Sequence, residues 1–261
     1  MRYENYNMED KKDDDLYHFI NTKSISSFDE IVDDGYITNR VKFILDKLTS
    51  YNIEKDIFFN KSRNRKYINL YYYKDNGSND TIVLLAHHDI NNPKSMNAND
   101  NSASIINLIN LIKKYNLNLS KNILITFTDA EEIVDIRNNG AYHLGEKINR
   151  GDFKDVKLTI NLELTAHGKN IWYEHDTILN HLLIKNNASK VSTPFNDSHS
   201  LRKLGIPSVC IGIVEDEDVI SINKNGYCDT WGVCHKENDS SYDLVDMNNF
   251  VDVLYDMIKK L

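Results

Sequence analysis

The apolar positions fall into a few sharp runs. The segment Thr81-Ile-Val-Leu-Leu-Ala86 is almost unbroken, which predicts a strand covered on both faces. Ile123–Phe127, Leu158–Leu162 and Ser208–Val214 repeat the pattern, and the aromatic and Ile-rich stretch from Ile57 to Tyr73 reads as one or two further strands. Helical spacing is clearest in Met247, Phe250, Val251, Leu254, Ile258 and Leu261, where Lys259 and Lys260 complement the dipole of a final helix. Ile37, Val41, Ile44, Leu45 and Leu48 mark another buried face. Ser27 and Glu30 have capping-box spacing at a helix start ahead of it, with Gly35 as an interruption. Helices are also expected over about 103–114, 141–148 and 177–187. Strands alternating with helices predict an α/β fold, a three-layer α/β/α sandwich around a mostly parallel mixed central sheet. Ligands of such sheets sit at the carboxyl ends of the strands.

Composition narrows this picture. The 261 residues hold three prolines and ten glycines, with no repeat and no Pro/Gly linker, so a single catalytic domain over 16–261 is expected behind a charged tail at 1–15. The tail lacks an apolar stretch and does not read as a signal peptide; no apolar run is long enough to span a membrane. A net charge of −8 argues against nucleic acid as a partner. Three cysteines make no disulfide framework; Cys228 and Cys234 are close enough in sequence to pair, but the plainer reading is reduced thiols in a cytoplasmic protein. The oligomeric state is left open.

Polar clusters fall at the strand ends. TIVLLA runs into His87-His88-Asp89, ILITFT into Asp129-Ala-Glu131-Glu132, and LTINL into Glu163; Asp100 precedes a helix, and His235 lies in the loop before the last one. Each piece alone is commonplace, since a Glu-Glu pair or a loop histidine is usually solvated surface. Together, His87, Asp100, Glu132, Glu163 and His235 deliver zinc-type ligands to one rim. Two divalent ions carry four positive charges, and three carboxylates with a bridging hydroxide would balance them. Asp89 stands two residues beyond His87, where it can fix the tautomer of a ligating imidazole. Glu131 is placed to move a proton. His88, His143, His167, His175 and His181 have no such placement.

The segments AHHDI, NANDNSAS, FTDAEE, NLEL and Asp197-Ser-His199-Ser-Leu-Arg-Lys-Leu-Gly-Ile-Pro207 resemble the co-catalytic zinc aminopeptidases of metallopeptidase family twenty-eight over about residues 80–250. The resemblance implies the zinc-exopeptidase (phosphorylase/hydrolase-like) fold and a cis peptide after Asp100. It implies two zinc ions, one held by His87 and Glu163, the other by Glu132 and His235, with Asp100 shared. It further implies Asp89 as partner of His87, Glu131 as general base toward a zinc-bound water, and hydrolysis of the N-terminal bond of a peptide or small amide. The chain departs from the family pattern at four places. Glu163 replaces the usual Asp, Asp197-Ser198-His199 replaces Ser-Asp-His, Lys236 follows His235, and the segment after Glu132 is longer. Either Asp197 or His199 is therefore expected to take the substrate or supporting role. Glutaminyl-peptide cyclisation at a single zinc, kept open by Asp229-Thr-Trp231, N-acyl amino acid deacylation and a peptidase-like binding protein are the alternatives.

Overall fold

The computed structural model describes residues 14–21, 38–61, 63–92 and 94–261. The Ser27–Glu30 spacing, Gly35, Ile37 and residues 1–13 of the expected tail lie outside the described residues. Asp14 and Asp15 belong to ordered structure: Asp14 Oδ1 accepts the N–H groups of Leu16 (2.8 Å) and Tyr17 (3.2 Å) and caps helix α1 (Asp15–Asn21).

The apolar runs become the middle of an eight-stranded sheet. Its strands are β1 (Ile53–Asn60), β2 (Arg65–Lys74), β3 (Asp80–His87), β4 (Asn122–Thr128), β5 (Asp155–Leu162), β6 (Asn170–Glu174), β7 (Ser189–Lys190) and β8 (Ser208–Val214), in the order β1-β2-β4-β3-β5-β8-β6-β7. Strands β4, β3, β5 and β8 are parallel neighbours, and every residue of β4 and β8 is buried. The stretch expected as one or two strands is a β1–β2 hairpin, antiparallel to itself and to β4. On the other side β6 pairs antiparallel with β8.

Side chains alternate across this sheet as strand geometry requires. Ile82, Leu84 and Ala86 of β3 join the larger core, with α1, α2 (Asn39–Lys47), α3 (Ala103–Lys114) and α8 (Leu244–Ile258). Val83 and Leu85 face the opposite layer, formed by α4 (Gly140–Arg150) and α6 (Asp197–Lys203). The remaining helices, α5 (Asn180–Lys185) and α7 (Asp216–Asn225), complete the set among the described residues. The helix expected over 177–187 is thus shorter. Helix α7 buries only Ile222, so it offers no apolar periodicity to read. No helix among the described residues is long and apolar enough to cross a membrane.

Two consequences position the site. Strands β4, β3 and β5 are adjacent and parallel, so their carboxyl ends open side by side. In β8, Gly212 lets the chain beyond β5 approach closely: a Cβ there would stand 2.0 Å from the Glu163 carbonyl oxygen and 2.5 Å from the Trp172 ring.

Candidate metal centre

His87 is the last residue of β3, buried with 1% of its surface exposed. Its Nε2 lies 3.2 Å from Asp100 Oδ1, 3.5 Å from Glu163 Oε2 and 4.0 Å from Glu131 Oε2. Its Nδ1 lies 3.3 Å from Asp89 Oδ1. Asp89 also accepts the backbone N–H groups of Glu131 (3.2 Å) and Glu132 (3.0 Å), so the carboxylate beside His87 also fixes the loop that carries both glutamates.

Asp100 sits in a wide turn, Ala98–Ser102, ahead of α3, and its peptide to Asn101 is cis. Asn101 Nδ2 donates to the Leu162 carbonyl (2.9 Å), tying this turn to the end of β5. Asp239 holds it from the other side, accepting the N–H groups of Asn99 (2.9 Å) and Asp100 (3.1 Å). The two oxygens of Asp100 then diverge. Oδ1 faces His87, and Oδ2 stands 3.0 Å from His235 Nε2, which is also 3.0 Å from Glu132 Oε2. Two ligand sets result, His87–Asp100–Glu163 and Asp100–Glu132–His235, each with donor atoms within 4.8 Å of one another. A third grouping, His87–Glu131–Glu132, meets the same limit. Asn161 Nδ2 donates to Glu163 Oε1 at 3.1 Å and aims that carboxylate.

Asp197 and His199 stand apart from these sets. Asp197 is fully buried behind the cluster, accepting from Thr128 Oγ1 (2.5 Å) at the end of β4 and from Asn139 Nδ2 (3.0 Å). His199 packs at 3.3 Å on Glu174 and accepts the Asn196 N–H as part of the cap of α6. It meets the cavity described below only through Phe195 and Asn196. The three cysteines are free, so Cys228 and Cys234 do not pair. His88 is a core residue whose Nε2 lies 2.9 Å from the Ile68 carbonyl, and His143 packs on Asp56 and the Phe58 ring.

Crowded carboxylates make this pocket demand positive charge. Burial first, then the neighbouring Asp100 charge, pushes Glu132 up to about 7. Glu163 is raised and Glu131 raised well above the usual carboxylate range, again chiefly by burial. Asp197 is pushed up to about 7 and Asp239 to about 6, burial being the largest cause for each. Asp100 and Glu132 in turn raise His235 to about 10; His87 is held well above its ordinary value because its carboxylate partners outweigh its burial. The polypeptide alone balances this charge by retaining protons. Divalent cations would do so directly, and Glu132 Oε1, buried without a hydrogen-bond partner, is one donor free for them. Two imidazoles and three carboxylates are a zinc-type donor set.

Three supporting features were not legible from the sequence. Asp239 lies in a polar run that looks like solvated loop. Arg40 looks like the polar side of a helix, yet it is buried beneath the cluster, its Nε donating to the His88 carbonyl (2.6 Å) and its Nη2 to Ser102 Oγ (3.0 Å). A cavity of about 460 Å³ opens over the carboxylates, and its walls come from Val134, Leu164, Trp172, Pro194, Phe195 and Trp231. These residues are scattered over about 100 positions, and no local pattern links them.

The sequence profile described as peptidase family M28 matches residues 70–245. No curated protein matches the chain. Among solved structures, Porphyromonas gingivalis glutaminyl cyclase is 14% identical, with a TM-score of 0.72, covering 94% of this chain and 95% of its own. The Legionella pneumophila LapA aminopeptidase is 15% identical with a TM-score of 0.69, covering 94% of this chain and 69% of its own. A zinc aminopeptidase from Bacillus subtilis is 16% identical with a TM-score of 0.62, over 76% of this chain and 50% of its own. These likenesses establish the shared fold.

Proposed function

The chain belongs to peptidase family M28 and is a metal-dependent peptidase, and from that premise we propose that it is a two-zinc aminopeptidase removing the N-terminal residue of peptides. One observation carries the two-ion reading: the carboxylate of Asp100 is split between two ligand sets, 3.2 Å from His87 on one side and 3.0 Å from His235 on the other. His87, Asp100 and Glu163 would hold one ion; Asp100, Glu132 and His235 would hold the second. When bound, the ions would supply Lewis acidity, polarising the scissile carbonyl and bringing the pKa of water toward neutrality.

This chain's own residues do the rest. Glu131 reaches the cluster, its Oε2 being 4.0 Å from His87 Nε2, while its backbone is fixed by Asp89. A carboxyl group there whose proton affinity is raised by burial can accept a proton from attacking water and return it to the leaving nitrogen. Asp89 fixes the orientation of His87. The cavity has room for an amino-acid side chain, and its apolar, aromatic wall favours an apolar N-terminal residue.

A second reading is cyclisation of an N-terminal glutamine. It is favoured by the like-for-like extent of the match with the Porphyromonas gingivalis cyclase and by the two tryptophans in the wall. It would need only one ion. Purified protein assayed on aminoacyl-p-nitroanilides and on a glutamine-initiated peptide, with and without chelator, separates the two. Chelator-sensitive nitroaniline release supports the aminopeptidase; ammonia release without peptide cleavage overturns it in favour of the cyclase.

A further inference from the structure

Val134 is held in a conformation that valine rarely adopts, and its side chain gains nothing inside the fold. Its φ is 51°, and it is the one β-branched residue at positive φ among the described residues. The position imposes this. Val134 N donates to the Glu131 carbonyl at 2.9 Å, closing the turn that contains both glutamates, and Asp89 pins the start of the same turn. Glycine or asparagine would meet the left-handed requirement easily, whereas a branched Cβ is strained there. Burial does not offset the strain. Ile133 packs inward on Phe58, Tyr67 and Ala130, but Val134 turns out and is 63% exposed while lining the cavity two residues beyond Glu132. Strain of this kind persists where function requires the side chain.

We propose that Val134 is a specificity-determining residue: it forms an apolar lip of the cavity and packs against the apolar side chain of the bound N-terminal residue. The inference rests on the aminopeptidase reading above and names the contact that selects its substrate. Covering an isopropyl-sized group against a substrate methyl or methylene discriminates about tenfold.

The test compares wild type with Val134→Asn, which keeps size and tolerates left-handed backbone, and Val134→Gly. Leucine and alanine p-nitroanilides give the kinetics, and leucinamide and glycinamide binding is followed by NMR on zinc-loaded protein that also carries Glu131→Gln, so that neither amide is turned over. Both variants are expected to lose about tenfold in kcat/KM for the leucine substrate through KM, with kcat within about twofold and the alanine substrate little changed. Leucinamide should weaken by the same factor and glycinamide should not, while Val134→Asn melts no lower than wild type. An unchanged leucine-to-alanine ratio, or a lowered melting temperature with equal losses on every substrate, overturns the proposal. If wild type cleaves neither substrate, the aminopeptidase reading fails, and the leucinamide-to-glycinamide ratio alone decides the role of Val134.

Discussion

Gly212→Ala tests whether the sheet itself builds the proposed metal centre. The added methyl carbon would lie 2.0 Å from the Glu163 carbonyl oxygen and 2.5 and 2.6 Å from two ring carbons of Trp172, where contacts below 3.0 Å essentially never occur. Trp172 is buried and cannot swing aside, and the Glu163 segment is bonded to β8 through Glu163 N to the Ile211 carbonyl at 2.9 Å. Relief therefore requires about 1 Å of backbone movement at Glu163. Overpacking of a rigid core costs about 1–3 kcal/mol, and a clash with backbone belongs at the upper end, about 3 kcal/mol. For a chain of this size that lowers Tm by about 6–12 °C. The same displacement moves a proposed zinc ligand, and misplacement on that scale costs about a hundredfold in turnover. Urea unfolding with chelator present reads the first effect, and kcat/KM with saturating zinc reads the second. A variant as stable and as active as wild type would refute the idea that this glycine sets the position of Glu163.

Other changes have equally definite outcomes. Glu131→Gln should keep its metal content and lose at least about a hundredfold in kcat; near-normal turnover would remove Glu131 from proton transfer. Arg40→Met withdraws a buried cation from the His88 carbonyl, Ser102 and the field of Asp89 and Glu132, and should cost about 3 kcal/mol in urea unfolding, partly recovered in Arg40→Lys. Burial alone would raise Glu174, but His199 and Arg202 overcome it and hold the carboxylate at about 2. Since its folded value lies below its unfolded one, its stabilisation is present above about 4.5 and fades as pH falls toward 2. After discounting for solvent, the stability gap between wild type and Glu174→Gln should be about 1–2 kcal/mol at pH 7 and should close in acid. A gap independent of pH would contradict the ion-pair account.

Much of this architecture could be read before any coordinates. The runs ending at His87, Thr128 and Leu162 are buried on both faces, so their continuous apolar character announced the parallel centre and, with it, the rim where polar residues matter. The final helix was legible because Met247, Phe250, Val251 and Leu254 are all buried on one side. Strand β6 is five residues long and α7 buries only Ile222, so neither leaves a periodic trace. Asp239 and Arg40 are polar residues whose importance comes from chain segments well over 40 positions away, and sequence spacing carries no such information. Asp197 and His199, two residues apart on α6, face different surroundings: one is buried against Thr128, the other is used in a cap and on Glu174. The left-handed turn at Val134 was signalled only as a longer segment after Glu132, because valine is not a residue from which positive φ is inferred.

The most direct test is a zinc titration of metal-free protein, wild type beside Asp100→Asn, with stoichiometry read by calorimetry and by elemental analysis after desalting. Two ions per wild-type chain, and neither retained tightly once Asp100 is changed, are the expected result. Wild type that binds no zinc, or an Asp100→Asn variant that binds the same number of ions as tightly, would contradict a centre organised around that shared carboxylate.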